Sequence, residues 1–176
     1  MGRRYALMDA TGFAAMKHAK QVRKYSGDPY LTHLMRVAQK LESLEVYFPV
    51  TDEMLQAAVL HDVIEDTDCT ADELRARFGD TVTGYVEALS IDFEAGKRQE
   101  RMAKYAAQLH AAPAEVQRIK ACDLWDNNAD IRENDPGFHV VYLREVLAVA
   151  EGLDKLGPLQ PKLVRLLNGE IGSLLE

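Results

Sequence analysis

Cysteine is scarce in this chain of 176 residues: there are two, Cys69 and Cys122, and no CxxC spacing. That gives no case for a zinc cluster and suits the reduced thiols of a cytoplasmic protein. No long apolar run follows the opening Met-Gly-Arg-Arg-Tyr-Ala, so neither a signal peptide nor a membrane span is expected. Repeats, low-complexity tracts, interdomain linkers and sustained period-two alternation are also missing. Positive charge is in deficit, with 21 Lys and Arg against 28 Asp and Glu, a net of -7. Such a balance argues against nonspecific nucleic-acid binding. What is present is ordinary: 47% hydrophobic and 28% charged residues, in a length that suits one domain with a real core.

The charge is unevenly spread. Residues 1–40 hold eight Lys and Arg against two acids, a net of +6, and the remainder carries -13. A basic first third beside an acidic remainder suits a small polyanion; an ion-paired surface is the plainer alternative. Nearly every segment has helical spacing. Helices are expected at 5–24, 31–46, from a Thr51 cap through the following apolar run, at 71–79, 81–90, 98–111, 113–132, 138–153 and 159–175. Tyr25-Ser26-Gly27-Asp28-Pro29 and Asp135-Pro136-Gly137 are the strong breakers. Thr70-Ala71-Asp72-Glu73 reads as a capping box. An Ile91–Lys97 linker precedes the helix at 98–111, and the fold class is all-α.

Ala57-Ala58-Val59-Leu60-His61-Asp62-Val63-Ile64-Glu65-Asp66 is the stretch that stands out. On a continuous helix His61, Asp62, Glu65 and Asp66 share one arc of about 140° opposite Leu60, Val63 and Ile64. Solvated faces usually mix in cations, yet no Lys or Arg occurs from 54 to 74. Like charges at i,i+4 repel, so a divalent metal is an economical neutraliser, with a solvated helix end as the alternative. His33, among Leu31, Leu34 and Met35, would alone suit a core histidine; the pair at 61–62 gives it weight as a ligand. Such a donor mixture fits Mn, Fe, Zn or Mg.

Two further stretches carry candidates. In Lys120–Asp130, Asp123, Asp126, Asn127 and Asp130 recur at helical spacing on one face, in apolar surroundings, and Asp123 would supply a fourth ligand. An exposed polar stripe is the alternative. In Arg23-Lys24-Tyr25-Ser26-Gly27-Asp28-Pro29-Tyr30, cations and free backbone N–H groups of a Gly-containing loop can hold phosphate just ahead of His33.

Taken in order, these pieces resemble the hydrolase domain of the RelA/SpoT family within the HD phosphohydrolase superfamily. The matching text is His18-x-x-Gln21-x-Arg23-Lys24-x-Ser26-Gly27-Asp28-Pro29-Tyr30-x-x-His33, then Ala58-x-Leu60-His61-Asp62-x-x-Glu65-Asp66-Thr67. Phe78-Gly79-Asp80-x-Val82 and Lys120-Ala121-x-Asp123-x-x-x-Asn127 follow. The resemblance runs from about residue 10 to about residue 150.

It implies a single-domain helical bundle over 1–176 binding one Mn(II) through His33, His61, Asp62 and Asp123. The metal in that family activates the water that attacks the 3′-diphosphate of (p)ppGpp, releasing pyrophosphate and GDP or GTP. Glu65 and Asp66 would orient or deprotonate that water. Arg23, Lys24, Ser26 and Asn127 match nucleotide-pocket positions, and Tyr142 does so more loosely. The intact Glu65-Asp66 pair argues against a non-catalytic nucleotide-binding domain.

The departures bear on the substrate. Arg23 and Lys24 fit only with one residue inserted before Ser26. Asp126 stands where many members have His or Tyr, Leu124 where many have a basic residue, and Asp130 in place of a small hydroxyl. Adenine alarmones, (pp)pApp, and the 2′-phosphate of NADPH are therefore alternatives. The length leaves no room for the synthetase and regulatory domains of long members, so degradation alone is expected. A cytoplasmic enzyme with a small-molecule nucleotide substrate and no nucleic-acid or membrane partner follows. Spare apolar residues at 81–90 and 159–175 leave room for a homo-oligomer.

Overall fold

The computed structural model describes residues 3–91 and 97–176, and positions 92–96 of the expected linker lie outside them. Among the described residues the secondary structure is helical apart from an isolated bridge between Val22 and Pro29. The contacts divide the chain into two compact units, Met1–Ser90 and Ile91–Glu176.

The first unit is built on α3 (Asp52–Leu60), against which α1 (Arg3–Lys17), α2 (Leu31–Ser43) and α5 (Ala71–Leu89) pack. Met54, Leu55 and every residue from Ala57 to Leu60 are buried, which accounts for an apolar run without a polar stripe. Burying one such Leu or Met side chain is worth about 1.5–3 kcal/mol. Thr51 caps α3 by accepting from the Met54 N–H at 3.2 Å, and Asp52 and Glu53 lie in the favourable first turn. Thr70 accepts from Glu73 N–H at 3.1 Å, but only half of the expected capping box forms. The Glu73 carboxylate instead takes Lys17 at 2.9 Å, and together with Asp68 it raises the Lys17 ammonium to about 12.

Two boundaries around the matched motif differ from the sequence reading, and a third agrees with it. α1 stops at Lys17, because residues 18–30 pair their backbone within a loop. Arg23 N–H donates to Asp28 O at 2.8 Å, Tyr30 N–H to Gln21 O at 3.0 Å, and Gly27 takes φ 73°. Val22, an apolar residue of the expected 5–24 helix, is exposed. The motif helix breaks after Leu60 and resumes as α4 (Val63–Asp66). At the other end of the unit, Gly79 adopts φ 82°, ψ 175° inside α5, which divides it where the sequence places a helix end and a new start.

The second unit contains α6 (Arg98–Ala111), α7 (Ala114–Asn134), α8 (Pro136–Glu151) and α9 (Leu159–Leu167). Asp135 caps α8 by accepting from Phe138 N–H, with Pro136 as its first residue. A buried amide knots the unit together: Gln117 donates to the carbonyls of Leu109 and His110 and accepts from Lys155 N–H. The C-terminal helix is shorter than its apolar pattern suggests. It ends at Leu167, and Gly169 turns the chain at φ 78°.

Candidate metal centre

The centre is built at the break at residues 61–62. Residues adjacent in sequence point about 100° apart on an α-helix, and here the chain turns between them. His61 keeps helical angles, whereas Asp62 at φ -98°, ψ -1° enters the bridge region where many active-site residues sit. The turn brings His61 Nε2 within 3.1 Å of Asp62 Oδ2. His33, delivered by the first turn of α2, places its Nε2 3.7 Å from the same oxygen. Donor atoms of His33, His61 and Asp62 all lie within 4.8 Å of one another.

The donor set fits a divalent cation. His61 Nδ1 lies 2.8 Å from the Ala58 carbonyl, an oxygen that can only accept, so Nδ1 carries the proton and Nε2 offers its lone pair. Both imidazoles are buried, at 0% and 3% exposure, while the Asp62 carboxylate retains 20%. Two imidazoles and a carboxylate are a borderline-hard donor set of the kind that suits a divalent metal. Tyr30 donates to Asp62 Oδ2 at 2.7 Å and so orients that carboxylate.

Glu65 and Asp66 follow on α4, the first half-buried and the second exposed. Asp66 Oδ2 accepts from Gln21 Nε2 at 2.8 Å. Gln21, Asp66 and Thr67 line an open cleft of about 680 Å³, along with Lys17 and Lys20. In the preceding loop Arg23 is buried with its guanidinium 5.9 Å from the Tyr30 ring centroid, whereas Lys24 and Ser26 are exposed. Ser26 Oγ accepts from Asp28 N–H, which shapes the loop.

The remaining candidates belong to the second unit. On α7, Asp123 accepts from Lys120 Nζ at 2.8 Å and from Asn127 Nδ2 at 2.6 Å. Burial alone would lower the Lys120 ammonium, but the Asp123 carboxylate overrides it and holds the group well above its usual value. Asp123 and Asp126 are 4% and 3% exposed, so their face is no solvated stripe. Asp130 takes the side-chain amide of Asn134 at 3.0 Å. Tyr142, on α8, stacks with His139 at 6.4 Å.

A sequence model of the HD domain matches residues 10–119. The chain belongs to the HD domain family. The human guanosine-3′,5′-bis(diphosphate) 3′-pyrophosphohydrolase MESH1 is 36% identical over 132 residues, covering 74% of this chain and 72% of that one. Its Drosophila melanogaster counterpart is 34% identical over 73% of this chain and 71% of its own length. An Aquifex aeolicus enzyme of the same name is 38% identical over 65% of this chain but only 16% of that longer protein. Among solved structures, a metazoan ortholog of SpoT described as hydrolysing ppGpp superposes with a TM-score of 0.83. It has 27% identity, over 95% of this chain and 96% of that one.

Within this HD domain, sequence reasoning gave no role to His18, Gln21 or Tyr30, although all three stand in the matched motif. The available signal was spacing: Tyr30 precedes His33 by three positions, the separation at which helical side chains meet.

Proposed function

We propose that this chain is a metal-dependent pyrophosphohydrolase that removes the 3′-diphosphate of (p)ppGpp, leaving GDP or GTP and free pyrophosphate. One observation carries the reading: a His33–His61–Asp62 donor cluster, with both imidazoles buried, lies in an HD domain shared over most of its length with enzymes of that name. Water adds its oxygen to phosphorus, the bond from phosphorus to the ribose 3′ oxygen breaks, and a proton goes to that oxygen.

His33, His61 and Asp62 would hold the metal, with Asp123 as a fourth ligand on the strength of the family motif, and Mn(II) as the native ion. When bound, such an ion polarises a phosphoryl oxygen and lowers the pKa of water. Glu65 and Asp66 orient the attacking water and take up its proton. Arg23, Lys24 and Ser26 bind nucleotide and phosphate, and Asn127 and Tyr142 complete the pocket. The whole chain acts as one hydrolase domain, a reading supported by the HD match running across residue 90. No helix among the described residues is long and apolar enough to cross a membrane. A cytoplasmic location and self-association belong to the same proposal.

The test is incubation with ppGpp and Mn(II), with pyrophosphate quantified. Release of pyrophosphate that stops on adding EDTA, and is lost in Asp123→Asn, is the expected result. Parallel reactions with an adenosine 3′-diphosphate and with NADPH decide the base and phosphate preference. Turnover of either with none of ppGpp would overturn the guanine reading.

A further inference from the structure

His18 is a buried imidazole, 4% exposed, that none of the roles above uses. Its Nδ1 lies 2.6 Å from Gln21 Oε1. The amide of Gln21 has two ends, and the other one, Nε2, donates to Asp66 Oδ2 at 2.8 Å. An ionised carboxylate can only accept, so the NH2 end must face Asp66 and the carbonyl end must face His18. The assignment of the imidazole follows: Nδ1 of His18 is the N–H donor of this pair. Meanwhile the same ring stacks on Tyr30, with centroids 5.1 Å apart and planes 26° from parallel. Tyr30 in turn donates to Asp62 Oδ2 at 2.7 Å.

One ring thus sends two arms to the centre. A hydrogen-bonded arm runs through Gln21 to Asp66, the acid that handles water. A packed arm runs through Tyr30 to Asp62, a metal ligand. We infer that His18 is a positioning residue: its N–H end sets the orientation of Asp66 and its ring face sets that of Asp62. This rests on the hydrolase reading for the role of Asp66, while the Asp62 arm concerns metal affinity alone. Supporting hydrogen bonds of this kind are worth about 10–100-fold in metal affinity or activity. In the turn that follows α1, Gln21 N–H donates to His18 O at 2.9 Å.

Two substitutions at His18 separate the arms. His18→Phe keeps a ring against Tyr30 and removes the donor to Gln21. His18→Asn keeps a donor at the level of Nδ1 and removes the ring. The expected split is a kcat on ppGpp reduced about 10–100-fold in His18→Phe with Mn(II) affinity held. In His18→Asn, Mn(II) affinity should fall by a similar factor, while kcat at saturating metal is largely kept. Gln21→Ala should reproduce the first pattern and Tyr30→Phe the second, and these two carry the test if a His18 variant fails to fold. Mn(II) isotherms need no substrate, so they test the Tyr30 arm even if the wild-type protein leaves ppGpp intact. That latter result would overturn the hydrolase reading instead. Parallel loss of kcat, affinity and Tm in all four variants would reduce His18 to a packing residue, and wild-type behaviour of Gln21→Ala and Tyr30→Phe would overturn the inference.

Discussion

His61 donates its Nδ1 proton to the carbonyl oxygen of Ala58, 2.8 Å away and three residues earlier on α3. The last turn of a buried helix thereby fixes the tautomer of an imidazole in the donor cluster. Because the acceptor is backbone, the orientation is insensitive to neighbouring side-chain changes, and the ligand itself is the sensitive point. His61→Ala should abolish stoichiometric binding of Mn(II), a loss larger than the 10–100-fold of a supporting hydrogen bond. Isothermal titration of metal-free protein measures it, and circular dichroism checks that the helices remain. Retention of one bound ion at unchanged affinity would remove His61 from the centre.

Metal binding should also be visible in stability. A ligand that binds only the folded state stabilises it by RT ln(1 + [L]/Kd), about 2.7 kcal/mol at a concentration 100 times Kd. Tm is expected to rise with added Mn(II) and to return to the metal-free value with EDTA. In His33→Ala the rise should vanish. A Tm that ignores the ion in the wild-type protein would count against a structural link between the cluster and the fold.

Gly79 sits at φ 82°, ψ 175°, a region open to glycine and to almost nothing else. Space is not the constraint, since a Cβ there would meet no atom within 4 Å. Backbone strain is. Gly79→Ala should cost about 1–3 kcal/mol, read as a lower urea midpoint with an unchanged slope. None of the proposed metal-binding residues lies near Gly79 in sequence, so Mn(II) stoichiometry should be kept.

That same residue shows how much of the fold the sequence carries. Gly79, Thr51, Thr70 and Asp135 act through local backbone chemistry, and local chemistry is readable from neighbours in the chain. The donor cluster of the first unit was readable too, since His33, His61 and Asp62 are odd residues in apolar company. What the periodicity concealed was the break at 61–62. The apolar spacing runs on through Val63 and Ile64, and the break shows only where His61 meets Asp62 and His33 in space. The earlier part of the loop, 18–24, was hidden for a related reason. Val22 fits a helical stripe, but its backbone partner is Pro29, seven residues on. Likewise the spare apolar residues beyond Leu167 extend a helical pattern that Gly169 interrupts.

Cys69 is 4% exposed, and burial, aided by the Glu73 carboxylate, pushes its thiol up to about 11. The thiolate is the reactive species. At pH 8 its fraction is therefore on the order of 100-fold below that of a free cysteine with a pKa near 8.5. Native protein should react with iodoacetamide at Cys69 correspondingly slowly, and urea should restore the normal rate. Peptide mass spectrometry assigns the modified residue. Rapid native alkylation at neutral pH would mean that the thiol is neither buried nor raised.

His139 gives the pH dependence a sign. Burial, helped by the positive charge of Arg132, lowers its pKa below the usual 6.5. Its Nε2 lies 2.8 Å from Asn128 Oδ1, while the amide nitrogen of Asn128 faces the Leu166 carbonyl at 3.4 Å. The neutral ring therefore donates to Asn128 and joins α8 to α7. Between the folded and unfolded pKa values the unfolded chain binds more protons, so this group makes stability rise with pH. Its effect is complete above the unfolded value near 6.5 and disappears as a pH-dependent slope below the lowered folded value. Urea midpoints taken from pH 5 to pH 8 should climb and then level off. His139→Gln keeps a donor without a titrating ring, and its curve should be flatter over that window. A slope equal to that of the wild type would assign the dependence to other groups.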